Sequence, residues 1–162
     1  MKYLTQNVSI EEYIKNPDVY DREWNEQNRQ YAQAFSEIAH RFPKAFLKEY
    51  YKYFMHDYIV KDIVLERVEL KTRCRYDLTL HLLDYYKENV EHILLFQDAD
   101  NLRTNMNFNF AGHCDWIYNE FLAVDDKRLS FEVVLFSDSF LYCEFSRLRY
   151  KKIRTSPAQG RV

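Results

Sequence analysis

Four groupings of side chains in this sequence are of types that do chemistry. The first is His113-Cys114-Asp115. Adjacent residues on an extended chain point to opposite sides, so His113 and Asp115 converge while Cys114 faces away. Zinc sites take three or four ligands, usually with paired spacings such as C-x2-C or H-x3-H, and neither spacing accompanies this triplet. His113 and Asp115 are weak metal candidates, expected instead to orient the strand that starts at Trp116. The second grouping is Glu120 with Glu144. Paired carboxylates hydrolyse glycosides at separations up to about 9.5 Å. Residues two strands apart lie about 10 Å from each other, at or beyond that limit. The third is the basic stretch Arg147, Arg149, Lys151, Lys152 and Arg154, with Tyr150 among them. Such a patch would bind phosphates in a salt-sensitive, sequence-blind way. Alternation places Arg147, Arg149 and Lys151 on one side of an edge strand, where positive charge blocks sheet-to-sheet pairing. Edge protection is the preferred reading, and nucleic acid is not the expected partner. The fourth is His56-Asp57, a hydrogen-bonded pair or simply a histidine favoured by a helix C-terminus. His40, His81 and His92 show no partner spacing.

Glycine usage excludes more than any motif includes. Only Gly112 and Gly160 occur in 162 residues. A dinucleotide-binding G-x-G-x-x-G, a Walker A loop and a G-x-S-x-G elbow are therefore all impossible. No cofactor is assigned. A formal charge of −2 exerts no global pull toward polyanions or anionic lipid. The longest apolar runs, such as Ile93 to Phe96, are far short of the roughly 20 residues that span a bilayer. Met1 to Asn7 lacks an apolar h-region and a small-residue cleavage site, so no secretory signal is read, and three scattered cysteines suit reduced thiols. A cytoplasmic location without membrane contact is expected.

The elements that must position these groups fall into two regimes. Ser9-Ile10-Glu11-Glu12 has the form of a capping box, opening a short helix that ends near Asn16. A second helix is expected from about Asp21. Trp24, Tyr31, Phe35, Ile38 and Phe42 then recur at helical spacing, and Phe46, Leu47, Tyr50, Tyr51, Phe54 and Tyr58 continue after Pro43. Both stripes read as core. From Asp62 the period becomes two. A turn centred on Cys74 would pair Val68 with Leu80 and Leu70 with Leu78. A third strand is expected at His92 to Phe96, and an Asn/Asp-rich loop with a short strand inside it at Asp98 to Asn109. Trp116 to Val124, Leu129 to Ser137 and Phe140 to Tyr150 read as three consecutive antiparallel strands. The prediction is an α+β fold, with N-terminal helices packed on one face of a five- to six-stranded, mostly antiparallel meander sheet. It is one domain over 1–154, helical over about 9–58 and sheet over about 62–152, followed by a flexible tail at 155–162.

The simplest registers place Trp116, Tyr118, Glu120 and Leu122 on one face with Phe131, Val133, Leu135, Tyr142 and Glu144. The opposite face takes Ile117, Phe121, Ala123, Glu132, Val134, Phe136, Leu141, Cys143 and Phe145, and is expected to be the core. Trp116, Tyr118, Glu120, Tyr142 and Glu144 would then form an aromatic-acidic surface, with aromatic anchors and carboxylates suited to partner recognition.

The order of His56-Asp57, then Cys114-Asp115-Trp116-Ile117-Tyr118-Asn119-Glu120, then Glu132 to Asp138 and Glu144-Phe145 resembles an uncharacterised family of small bacterial proteins. That family, a domain of unknown function, is known mainly from Gram-positive bacteria, and the likeness covers residues 24–152. The layout is also similar to immunity proteins encoded beside bacterial polymorphic toxins. Neither likeness supplies catalytic residues. The leading expectation is a non-enzymatic cytosolic protein–protein interaction module, with an inhibitor or immunity protein as its narrower form and an unidentified protein as its partner. One alternative is a small hydrolase-like or metal-dependent enzyme using Glu120, Glu144, His113 and Asp115. The other is a structural or regulatory homo-oligomer.

Overall fold

The computed structural model describes residues 1–4, 14–106, 115–135 and 139–154. The first described helix, α1 (Pro17–Ile38), starts four residues ahead of the expected Asp21. Proline at the first helical position lacks an N–H that would have no partner there anyway, and its φ already suits a helix. The capping box at Ser9 lies outside the described residues. Tyr31, Phe35 and Ile38 bury the apolar stripe of α1. After a 3-10 turn at Ala39–Arg41, Pro43 turns the chain into α2 (Lys44–Tyr53), which buries Phe46 and Tyr50.

Among the described residues eight strands follow: β1 (Ile59–Glu69), β2 (Cys74–Leu83), β3 (Val90–Gln97), β4 (Asp100–Thr104), β5 (Trp116–Ala123), β6 (Leu129–Leu135), β7 (Ser139–Phe145) and β8 (Arg147–Arg154). They form two antiparallel sheets, ordered β1-β2-β3-β8 and β4-β7-β6-β5. The α+β class is as expected, but the strands outnumber the expected five or six. The reason is two corners. The run from Phe140 to Tyr150 breaks at Ser146, whose N–H donates to the Gln97 carbonyl at 3.0 Å. Opposite it, β3 passes into β4 through Asp98, a left-handed residue with φ 58°, whose N–H is held by the Asp77 carboxylate at 3.0 Å. Two paired strands therefore turn together from one sheet into the other. At the far side the sheets also meet: Trp116 N–H donates to Tyr58 O at 2.8 Å, and Asp57 N–H to Trp116 O at 2.9 Å.

Two registers differ from expectation. The first hairpin turns between Leu70 and Arg73, where Leu70 N–H meets Arg73 O at 2.8 Å, so Leu65 pairs with Leu78 and Ile63 with Leu80. The Val68–Leu80 and Leu70–Leu78 pairs do not form. In the second sheet β6 is shifted by one residue from the simplest register. Phe131, Val133 and Leu135 point inward with Phe121, Leu141, Cys143 and Phe145, while Glu132 faces out with Tyr142. Phe131, Val133 and Leu135 gain burial this way, and the expected assignment would have left all three on the outer face. The inner faces of both sheets and the apolar stripes of both helices share one core. Among the described residues, no helix is long and apolar enough to cross a membrane.

Candidate functional site

The end of α2 is the most strained backbone in the described chain. Phe54, Met55 and Asp57 have φ of 50°, 57° and 65°. Left-handed geometry costs a residue with a Cβ roughly 1–2 kcal/mol, and no glycine relieves it here. Packing enforces it instead. Phe54 N–H caps α2 on Tyr50 O at 2.7 Å, Met55 is wholly buried, and Asp57 N–H is tied to the start of β5. Strain of this kind is retained where the surrounding structure over-determines it, often at functional sites.

The turn forms one wall of a cleft of about 190 Å³. Phe54 and His56 line it together with Trp24 and Asn28 of α1, Tyr118 of β5 and Leu4. The Trp24 and Tyr118 rings pack at 4.7 Å between centroids, and the His56 ring lies 6.2 Å from Tyr118. Burial pushes the Tyr118 phenol up from its ordinary value. At the rim His56 Nδ1 meets Asp57 Oδ1 at 2.8 Å, and Tyr86 donates its hydroxyl to Asp57 Oδ2 at 2.7 Å. The Tyr86 bond, aided by His56, holds the Asp57 carboxyl below the usual carboxylate range.

A chain of buried polar groups fixes the cleft floor. Trp116 Nε1–H donates to Asn119 Oδ1, and Asn119 Nδ2–H donates to the Tyr50 hydroxyl, both at 2.8 Å. Tyr50 and Tyr31 share a hydrogen bond of 2.6 Å, and Phe121 N–H donates to Tyr31 at 2.9 Å. One polar chain thus links α1, α2 and β5, and satisfied networks of this kind specify a single packing.

The sequence candidates are scattered rather than gathered. Trp116 is in the core, because a bulge between Trp116 and Tyr118 turns it to the side of Asn119 and Phe121. Tyr118 lines the cleft. Glu120 faces outward but is buried beneath the chain's first residues, accepting N–H bonds from Lys2, Tyr3 and Leu4. Tyr142 and Glu144 form their own pair on β7, with Arg103 over the Tyr142 ring at 4.0 Å and Asn101 Nδ2 donating to Glu144 at 2.8 Å. The single aromatic-acidic surface is therefore not formed. Glu120 and Glu144 sit on strands separated by β6 and have different partners. Asp115 bridges to Ile59, while His113 and Cys114 lie outside the described residues. Among the described residues no three His, Cys, Asp or Glu side chains converge as a metal site.

Sequence reasoning passed over His92. It is wholly buried, with Asp84 Oδ2 3.1 Å from Nε2, the Tyr150 hydroxyl 2.7 Å from Nδ1 and the Tyr58 ring at 4.8 Å. An ionised carboxylate only accepts, so Nε2 carries the proton and Nδ1 accepts from the phenol. Burial lowers the His92 pKa below its ordinary value. Spacing along the sequence gave no sign of this relay, because its members come from β3, β8 and the turn after β2, with Tyr58 from the segment ahead of β1.

The chain matches no protein-family model, and no curated protein or solved structure is significantly similar to it.

Proposed function

We propose that this protein is a non-catalytic protein–protein interaction module that receives one aromatic or large apolar side chain of its partner in the cleft between α1, the 54–57 turn and β5. The observation carrying this reading is the pairing of a strained, glycine-free turn at Phe54, Met55 and Asp57 with the Trp24–Tyr118 wall across from it. The size of the cleft supports a side chain over a cofactor. Pockets for drug-sized ligands run about 300–1,000 Å³, and this one holds about 190 Å³. Trp and Tyr walls suit a hot-spot anchor, and His56 with Asp57 at the rim supplies polar orientation. An inhibitor that seats a partner's side chain here is the narrower form of the same proposal.

Titration of the labelled protein with N-acetyltyrosinamide and N-acetylleucinamide tests it. Saturable shifts of the Trp24 indole N–H and the His56 ring are expected, with Kd of about 1 mM, as befits a single side chain. They should vanish in Tyr118→Ala while the rest of the spectrum is retained. No saturable shift at these two residues, or shifts equal in Tyr118→Ala, would overturn the proposal.

A further inference from the structure

The outer face of the β1-β2-β3-β8 sheet is ordered in charge from one edge to the other. The helices lie on its inner side, where Phe46 of α2 meets Tyr150 at 5.9 Å and Tyr150 stands opposite Leu94. No described helix covers the outer side. Its residues form register-matched rows across the sheet. One row runs from Asp62 on β1 through His81 and Ile93 to Lys151 on β8. The next runs from Val64 through Thr79 and Leu95 to Arg149. Beyond it Glu66 pairs with Asp77, a buried carboxylate already held by Arg75, and on the other edge Arg147 flanks Gln97. The β1 edge is therefore acidic, the middle holds half-buried Ile93 and Leu95, and the β8 edge is basic. Among the described residues Asp62, Glu66, Arg147 and Lys151 make no ion pair. Glu91, also on this face, is buried, ion-paired with Lys61 and in contact with His81.

We propose that this face joins two copies of the chain through a two-fold axis parallel to the strands. Such an axis turns every row end for end. Asp62 then meets Lys151 of the second copy and Glu66 meets its Arg147, and each pair occurs twice by symmetry. Ile93 and Leu95 of both copies fill the centre. An axis perpendicular to the strands would set like charge on like and is disfavoured. A polyanion could use the β8 edge alone, but the acidic β1 edge on the same face and the net charge of −2 oppose it. Four strands about 4.8 Å apart and about eight residues long at 3.3 Å each present roughly 500 Å² per copy. A standard interface takes about 800 Å² per partner, so the dimer is weak and reversible. This inference is independent of the cleft.

Sedimentation equilibrium of the full chain from about 1 to 300 µM, at 50 and 500 mM salt, reads the association. A monomer–dimer equilibrium in the micromolar range is expected, weakened at least about fivefold by the higher salt. Asp62→Lys and Lys151→Asp should each weaken it about tenfold or more. The double exchange Asp62→Lys/Lys151→Asp should restore it to within about threefold of the native chain. Both sites are exposed, and unchanged circular dichroism verifies folding. A monomer at 300 µM, a dimer indifferent to the single exchanges, or a double exchange without rescue overturns the proposal. So does binding of a single-stranded oligonucleotide by a chain that stays monomeric.

Discussion

Glu120 on β5 stands directly opposite Glu132 on β6, and both carboxylates are engaged by the first residues of the chain. Like charges facing each other across two strands are destabilising. Here Lys2, Tyr3 and Leu4 donate their N–H groups to Glu120, and the Met1 amino group lies 2.7 Å from Glu132. The segment that covers the acidic pair is what makes the pair tolerable. It also brings Leu4 into the lining of the cleft.

Glu120→Gln should therefore cost about 1–3 kcal/mol, since one amide end would present hydrogens to backbone N–H donors and leave buried groups unpaired. Glu144→Gln should stay within about 1 kcal/mol, because that carboxylate is partly solvated and its ion pair to Arg128 is long at 3.9 Å. Urea unfolding of the two single variants separates them. Equal costs would show that the N-terminal segment does not hold onto Glu120.

The 54–57 turn makes a prediction that inverts the usual ranking of small residues. Glycine in place of alanine normally costs stability through chain entropy. At Phe54, where φ is 50° and the side chain is 46% exposed, alanine keeps the left-handed penalty while glycine removes it. Phe54→Gly should be more stable than Phe54→Ala by about 1 kcal/mol. Thermal unfolding of the two variants checks this, and alanine being the more stable would mean the turn carries no strain.

Helical periodicity was legible because α1 and α2 bury narrow stripes against a sheet, so Tyr31, Phe35, Phe46 and Tyr50 are found where their spacing puts them. Pairing register was less legible. Two runs of alternating residues can slide by one without breaking their own pattern, and β6 alternates on both of its faces, with Phe131 and Val133 competing against Glu132 and Val134. The decision came from packing against Phe121 and Phe96, which local sequence does not encode. The break at Asp98 was legible in its Asn/Asp-rich surroundings, whereas the corner at Ser146 was hidden within the run Phe140 to Tyr150, with no glycine or proline to mark it. Tyr118 was named as a candidate for its type, yet Trp24, the ring it packs against, lies 94 positions away and could be read only as a core residue.

Thiol chemistry should divide the described cysteines cleanly. Cys143 is enclosed between β6 and β4, and burial pushes its thiol up to about 12. Cys74 is exposed at the first hairpin. Only the thiolate reacts, so iodoacetamide at pH 8 should label Cys74 in minutes and leave Cys143 unlabelled until the protein unfolds. Mass spectrometry of the digested adduct reads both sites at once. Labelling of native Cys143 at the rate of Cys74 would contradict its burial.

Acid should weaken the fold well before its carboxylates titrate, and His92 is the reason. Its folded pKa is depressed from 6.5 by burial, against the opposing pull of Asp84. Below about pH 6.5 the unfolded chain takes up a proton at this position and the folded chain does not. Stability therefore falls as pH drops through that range, with a limiting slope of about 1.4 kcal/mol per pH unit, and levels off below the folded pKa. Asp84, Glu49 and Glu91 act in the same direction but later. Burial raises each, yet their hydrogen bonds and neighbouring cations outweigh it and hold them below 3.8 or 4.5, so their contributions drain away only below about pH 5. The interval from pH 6.5 to 5 separates His92 from these carboxylates. His92→Gln should lose stability at every pH, because Asp84 and Tyr150 lose a partner, but its unfolding free energy should be nearly flat across that interval. Urea titrations at half-unit steps measure both slopes. A variant as steep as the native chain would assign the acid sensitivity to another group and leave the Asp84–His92–Tyr150 relay without this role.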